Sequence, residues 1–117
     1  MSLAVADLEV SRAFYEKLGF SVTGGEADDG WLIMINGTTI IGLFSGMFEQ
    51  NILTFNPGLG NDTKPVSPFT DVREIEAHLK EAGIEIDEAV PADNPEGAAH
   101  IRLTDPDGNA ILIDQFF

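Results

Sequence analysis

Three side chains near one end of the sequence carry the groups needed to move a proton or hold an anion: His100, Arg102 and Asp114. His100 is the only histidine outside a predicted helix, and an imidazole beside the Asp114 carboxylate makes an acid-base pair suited to an enolising substrate. The competing reading of His100 is a hydrogen-bonded surface residue at a strand start. Arg102 is the one base of the six that falls on a predicted strand. Its guanidinium offers a fork for a ligand carboxylate or carbonyl, or else a cross-strand ion pair with Asp114. Trp31, Phe44, Phe48 and Phe55 have flat faces that can stack on a planar ligand, against the alternative that they fill core. Asp105 and Asp107 are accounted for as turn-formers, because Asp-Pro and Asp-Gly have a complete conformational explanation.

Other chemistries lack their residues. The chain has no cysteine, which removes thiolate nucleophiles, disulfides and cysteine-bound zinc. No serine has a neighbouring His-acid arrangement, and no glycine-rich phosphate loop precedes a helix. With 20 acidic and 6 basic residues the net charge is −14, which repels a phosphate backbone and argues against a nucleic-acid partner. No apolar run approaches the roughly 18 residues that span a bilayer, and no basic leader follows Met1. The expectation is a soluble, cytoplasmic protein with no membrane partner.

The elements that position these groups are written twice. At an offset of 64, Asp7, Ala13 and Gly19 meet Asp71, Ala77 and Gly83. Each Asp is an N-cap, each Gly a left-handed helix stop, and the apolar stripes are Leu8, Ser11, Tyr15, Leu18, widened by Phe14, and Val72, Ile75, Leu79, Ala82. Extended segments are predicted at Phe20 to Val22 and Ile84 to Ile86, and Asn51 to Phe55 reads as the opening strand of the second copy. Two hairpins follow from their turns: Trp31 to Ile35 and Thr39 to Phe44 around Asn36-Gly37, and Ile101 to Leu103 and Ala110 to Ile113 around residues 105–109. Residues 57–68 are an insertion, a surface loop or a lid. At 117 residues and 44% hydrophobic, the two copies make one domain, residues 1–117, with module one at 1–49 and module two at 50–117. Strand alternation puts Ile41, Leu43, Ile101, Leu103, Ile111 and Ile113 under the helices.

Leu3-Ala4-Val5-Ala6-Asp7-Leu8-Glu9, Phe14 to Phe20 and Asp105-Pro106-Asp107-Gly108-Asn109, in this order and spacing, resemble the vicinal oxygen chelate superfamily of glyoxalase I, bleomycin- and fosfomycin-resistance proteins and extradiol dioxygenases. Ile41 to Phe48, Asn51 to Pro57 and Ile113 to Gln115 are similar to a bacterial glyoxalase-like subgroup. The resemblance covers almost the whole chain. It implies an α+β fold of two β-α-β-β-β modules forming a curled mixed sheet around a central cavity, and often a homodimer. Gly42, Phe44, Asn51, Leu53, Phe55, His100, Arg102, Leu112 and Asp114 would then face that cavity.

The resemblance also implies a divalent ion held by His or Glu from the first and last strands of each module. Those positions fall on Met1 or before it, Gly42, Asn51 and Leu112, and none is a good ligand. The expectation is therefore a protein with no metal ligands and no cofactor, binding a small organic molecule in the cavity through Trp31, Phe44, Asn51, Leu53, Phe55, Arg102 and Leu112. Two alternatives stay open. One is a lyase or isomerase of the glyoxalase type, using either an incomplete metal site or His100 and Asp114 as acid and base. The other is a resistance protein that sequesters a cationic drug, as bleomycin binders do.

Overall fold

Asp7 and Asp71 each end an extended segment and start a helix with the same device. In the computed structural model, which describes residues 1–117, the Asp7 carboxylate accepts the Val10 N–H and the Asp71 carboxylate accepts the Arg73 N–H. Each bond satisfies an amide that the first helical turn leaves free. The helices are α1, Leu8–Lys17, and α2, Val72–Glu81, and each is followed by a glycine at positive φ, Gly19 at 102° and Gly83 at 85°. Seven strands accompany them: β1 Ser2–Ala4, β2 Ser21–Glu26, β3 Trp31–Asn36, β4 Thr39–Phe44, β5 Ile52–Phe55, β6 Ala99–Thr104 and β7 Ala110–Gln115. The fold is α+β, with mixed sheet pairing and strand order β2-β3-β4-β1 in the first unit and β5-β7-β6 in the second. Contacts divide the chain into two units, Met1–Ile52 and Leu53–Phe117.

In the first unit β1 runs parallel to β4, β4 antiparallel to β3, and β3 antiparallel to β2. Ile52 pairs with Ser2. One face of these strands carries Leu32, Met34, Ile41 and Leu43, buried with Leu8 of α1 and packed by Leu3, Val5, Tyr15 and Phe20. The helix stripe is narrower than its spacing predicts: Leu18 is 56% and Phe14 57% exposed. Leu18 is the C-cap, beyond the last turn, while Phe20 packs on the core with its ring edge-on to Tyr15 at 5.8 Å. β2 is longer than predicted. It continues past a bulge between Val22 and Gly24 to Glu26, a 3-10 turn at Ala27–Asp29 follows, and β3 begins at Trp31. The β3–β4 hairpin closes one residue later than expected, with Asn36 paired to Thr39 and Gly37 at φ 63° in the turn.

In the second unit Val72, Ile101 and Leu103 are buried, with Ile75, Leu79, Ile86, Val90, Ile111 and Ile113 packed against them. Alternation along β6 and β7 therefore runs as the sequence predicts, and the exposed Ala82 is only the helix C-cap. Ile84 to Ile86 is not a ladder strand. Its pairing shrinks to one antiparallel bridge, Glu88 with Arg102, closed by Asp87 and Glu88 N–H groups donating to Arg102 O and by Arg102 N–H donating to Glu88 O. The Asp105 loop is built as expected, with that carboxylate accepting from Asp107 N, Asn109 N and Asn109 Nδ2.

A buried side chain secures the start of α2. Gln115, 2% exposed, accepts the Val72 N–H at 2.7 Å through Oε1, and its Nε2 donates to Asp71 Oδ2, Gly97 O and Phe117 O. Arg73 extends the network to Asp71, Asn94 and Gly97. These bonds, Gln115 first, hold the Asp71 carboxyl below the usual carboxylate range. A depressed folded value contributes stability above the ordinary carboxylate range and loses it as pH falls through the folded value. Replacing Gln115 with Leu strands the buried Val72 N–H, and denaturant unfolding should show a loss of about 1–3 kcal/mol. Asp71→Asn keeps a cap but removes the charge, so its stability should fall less than that of the parent chain on acidification.

Candidate functional site

Burial of one strand face leaves the other free, and in the first unit that face carries two aromatic rings, aliphatic side chains and one carboxylate. Directly opposed residues of an antiparallel ladder point to the same side. Glu26 opposes Trp31, and Trp31 opposes Phe44, so the three form a row across β2, β3 and β4. The Trp31 and Phe44 rings are parallel within 6°, with centroids 6.3 Å apart, and Phe48 leans on Phe44 at 5.3 Å. The next row pairs Ile33 with Gly42. A Cβ on Gly42 would lie 2.5 Å from Phe44 Cε2, so the ring occupies the space that any side chain at 42 would need. Trp31, Phe44 and Phe48 are half-buried, which leaves part of the group accessible.

The second unit presents His100, Arg102 and Thr104 on the β6 face turned away from α2. In register with them on β7 are Asp114, Leu112 and Ala110. His100 Nε2 lies 3.1 Å from Glu88 Oε1, and Glu88 belongs to the bridge segment beside β6. Asp114 is half-buried, and desolvation pushes its carboxyl above the usual range while the facing His100 opposes the shift. The expected Arg102–Asp114 ion pair is not formed. Register sets Arg102 opposite Leu112 and Asp114 opposite His100, and the Arg102 guanidinium has no ion pair or side-chain hydrogen bond. Arg102 lines a shallow recess of about 220 Å³ with Asp87, Glu88, Leu103, Thr104 and Ala110.

Of the residues singled out from sequence, Trp31 meets Phe44 and His100 meets Asp114 as cross-strand neighbours. Leu53 and Phe55 are exposed, at 36% and 56%. Asn51 precedes β5, and its Oδ1 accepts the Ala4 N–H at 3.0 Å. Two residues near these groups escaped the sequence reading. Glu26 was lost because β2 was ended at Val22, before a bulge that periodicity does not mark. Glu88 was lost because its pairing with β6 is a single bridge with no strand pattern.

This arrangement has relatives. A family model described as Glyoxalase/Bleomycin resistance protein/Dioxygenase superfamily matches residues 1–113. The chain belongs to that superfamily. Among solved structures, a glyoxalase/bleomycin resistance protein/dioxygenase superfamily member from Vibrio splendidus is 16% identical with a TM-score of 0.64, covering 97% of this chain and 94% of that one. A protein from Legionella pneumophila described as an NAD-dependent benzaldehyde dehydrogenase is 17% identical with a TM-score of 0.70, covering 99% and 96%. A bleomycin-binding protein in complex with bleomycin is 22% identical with a TM-score of 0.37, covering 99% and 95%. No curated protein matches the sequence. At these identities the structural likeness establishes fold and leaves chemistry to the residues.

The divalent ion implied by the superfamily does not fit the residues at its positions. Gly42 has no donor, and Phe44 fills its space. Leu112 offers only carbon, and the Asn51 oxygen is engaged by Ala4. A hard or borderline ion needs three or four converging N or O donors, and no three His, Cys, Asp or Glu side chains converge in this chain. His100 and Asp114 on this face carry groups able to take up or release a proton, and Glu88 hydrogen-bonds the imidazole.

The Asp114 shift has a sign that can be tested. A raised folded value favours the folded state below the ordinary carboxylate range, and that advantage is lost as pH rises through the raised value. Asp114→Asn should therefore lose less stability than the parent chain between acid and neutral pH, read by urea midpoints across that range.

Proposed function

We propose that this glyoxalase-superfamily chain binds a small organic molecule without a chelated metal ion. The observation that carries the reading is Phe44 lying across Gly42, at a position where the metal-using members of the superfamily place a ligand. An acid or imidazole there requires the ring to leave, so the site trades a metal donor for aromatic surface. That surface, with the parallel Trp31 ring beside it, supports binding by stacking and desolvation. In the second unit Leu112 and the unpaired Arg102 supply apolar contact and a fork for an anionic oxygen.

A second reading draws on one specific observation, the cross-strand facing of His100 and Asp114 with the carboxyl shifted upward. A base whose carboxyl titrates nearer neutrality is better matched to proton abstraction beside a carbonyl, as in a lyase or isomerase of the glyoxalase type.

Metal analysis of purified protein, combined with thermal-shift screening of small molecules, tests the leading reading. It expects no stoichiometric divalent ion and a raised midpoint with a subset of organic compounds in the presence of a chelator. One tightly held ion per chain, with a chelator lowering the midpoint, overturns it. For the second reading, any turnover found with a glyoxalase-type substrate should fall by about 10²-fold or more in His100→Ala. Unchanged turnover removes His100 from the chemistry.

A further inference from the structure

We infer that the solvent face of α1 is a contact surface for a second copy of this chain, helix against antiparallel helix, with Phe14 on the two-fold axis. Val10, Phe14 and Leu18 are 66%, 57% and 56% exposed, and their spacing of four residues sets them in one ridge along the helix. Leu8 and Tyr15 supply the core side of α1, and the Phe14 ring meets Tyr15 edge-on at 5.2 Å. The ridge therefore belongs neither to the core nor to the outward strand face. The duplicated helix shows that the fold does not require it. At the offset of 64, Val10, Phe14 and Leu18 correspond to Glu74, His78 and Ala82 of α2, all of them exposed. One helix is built with polar or small residues at these sites and the other with three large apolar ones, which is the mark of a surface covered on association.

Shape and charge on α1 both fit a second α1. A ridge at i, i+4 and i+8 packs into the groove of an identical helix, and a two-fold axis through Phe14 brings Val10 of each copy beside Leu18 of the other. Ala13, exposed beside the ridge, adds little bulk to hold the axes apart. Asp7 and Glu9 stand at the start of the helix and Lys17 at its end, so the antiparallel arrangement sets each Lys17 over the acidic end of the other copy and opposes the helix dipoles. Within one chain Lys17 forms no ion pair, and the Asp7 side chain bonds the Val10 amide through one oxygen. A basic partner helix, by contrast, meets Glu9 and Glu16 already engaged by Arg12 at 2.7 Å and 3.9 Å and leaves Lys17 unmatched. Two chains of net charge −14 repel at long range, so salt should strengthen this contact by screening that repulsion.

Sedimentation equilibrium of the whole chain across protein and salt concentration tests the contact independently of any ligand. A reversible monomer–dimer equilibrium that tightens with salt is expected. Phe14→Glu, a change at an exposed position, should weaken dimerisation about tenfold or more, with an unchanged monomer thermal midpoint showing that the fold is kept. Lys17→Glu should weaken it about threefold to tenfold, and His78→Glu, at the equivalent site of α2, should leave it as it was. Because the chain has no cysteine, Phe14→Cys and His78→Cys each introduce a single thiol. Under mild oxidation Phe14→Cys should cross-link two copies about tenfold faster or more than His78→Cys, since only at the two-fold axis do identical residues approach within disulfide reach. A parent chain that stays monomeric at every concentration, a dimer that Phe14→Glu leaves intact, or equal cross-linking of the two cysteine variants overturns the inference.

Discussion

Every candidate group in this molecule takes its direction from the burial of one strand face beneath a helix. Leu32, Met34, Ile41 and Leu43 must lie under α1, and Ile101 and Leu103 under α2, because leaving such side chains in water costs about 1.5–3 kcal/mol each. A strand has a period of two, so that requirement dictates the other half of each strand as well. Trp31, Ile33, Gly42 and Phe44 are turned outward by it in one unit, and His100, Arg102, Leu112 and Asp114 in the other. A one-residue slip would bury charges and expose core, so the site's register is protected by the stability of the fold.

That coupling explains which parts were legible in the sequence. The helices were readable because caps and stops are local: Asp7 and Asp71 bond amides two or three residues away, and Gly19 and Gly83 adopt the conformation that ends a helix. The alternation of β4, β6 and β7 was readable because one face is wholly apolar. What failed was set by tertiary competition. Leu18 has helical spacing, but it is the C-cap and stays exposed while Phe20 packs on the core. Ile84 to Ile86 has a strand composition, yet only Glu88 finds a bridge. The Arg102–Asp114 pair was plausible by charge, but register makes the two residues diagonal neighbours rather than directly opposed, and no ion pair forms between them. The hydrogen bond from the Ala4 amide to the Asn51 oxygen joins residues 47 apart, a contact that local spacing does not show.

The two copies solve the same helix start at different depths. In the first, Asp7 bonds one amide of α1. In the second, Asp71 is one member of a network with Arg73 and the buried Gln115, which also reaches Gly97 and the chain beyond β7. Buried polar groups are tolerated only when satisfied, and Gln115 is satisfied on both its oxygen and its nitrogen. The second unit thus uses a polar hub to fix long loops to its helix. The first unit, with a two-residue hairpin turn and a one-turn 3-10 link, has less loop to fix.

The same economy of space governs chemistry at Gly42. A strand position facing outward normally carries a side chain, and in metal-using relatives that side chain is a donor. Here its absence is structural: with no Cβ, the neighbouring Phe44 ring lies across the strand beside Trp31. Substituting a donor would not by itself create a metal site, because the ring would first have to move and the remaining donors would still be missing. One glycine therefore leaves room for an aromatic ring at a position where metal-using members of the superfamily carry a donor. In a chain of net charge −14, the segment from residue 18 to 63 carries no Lys, Arg or His, so no side chain along it offsets its carboxylates.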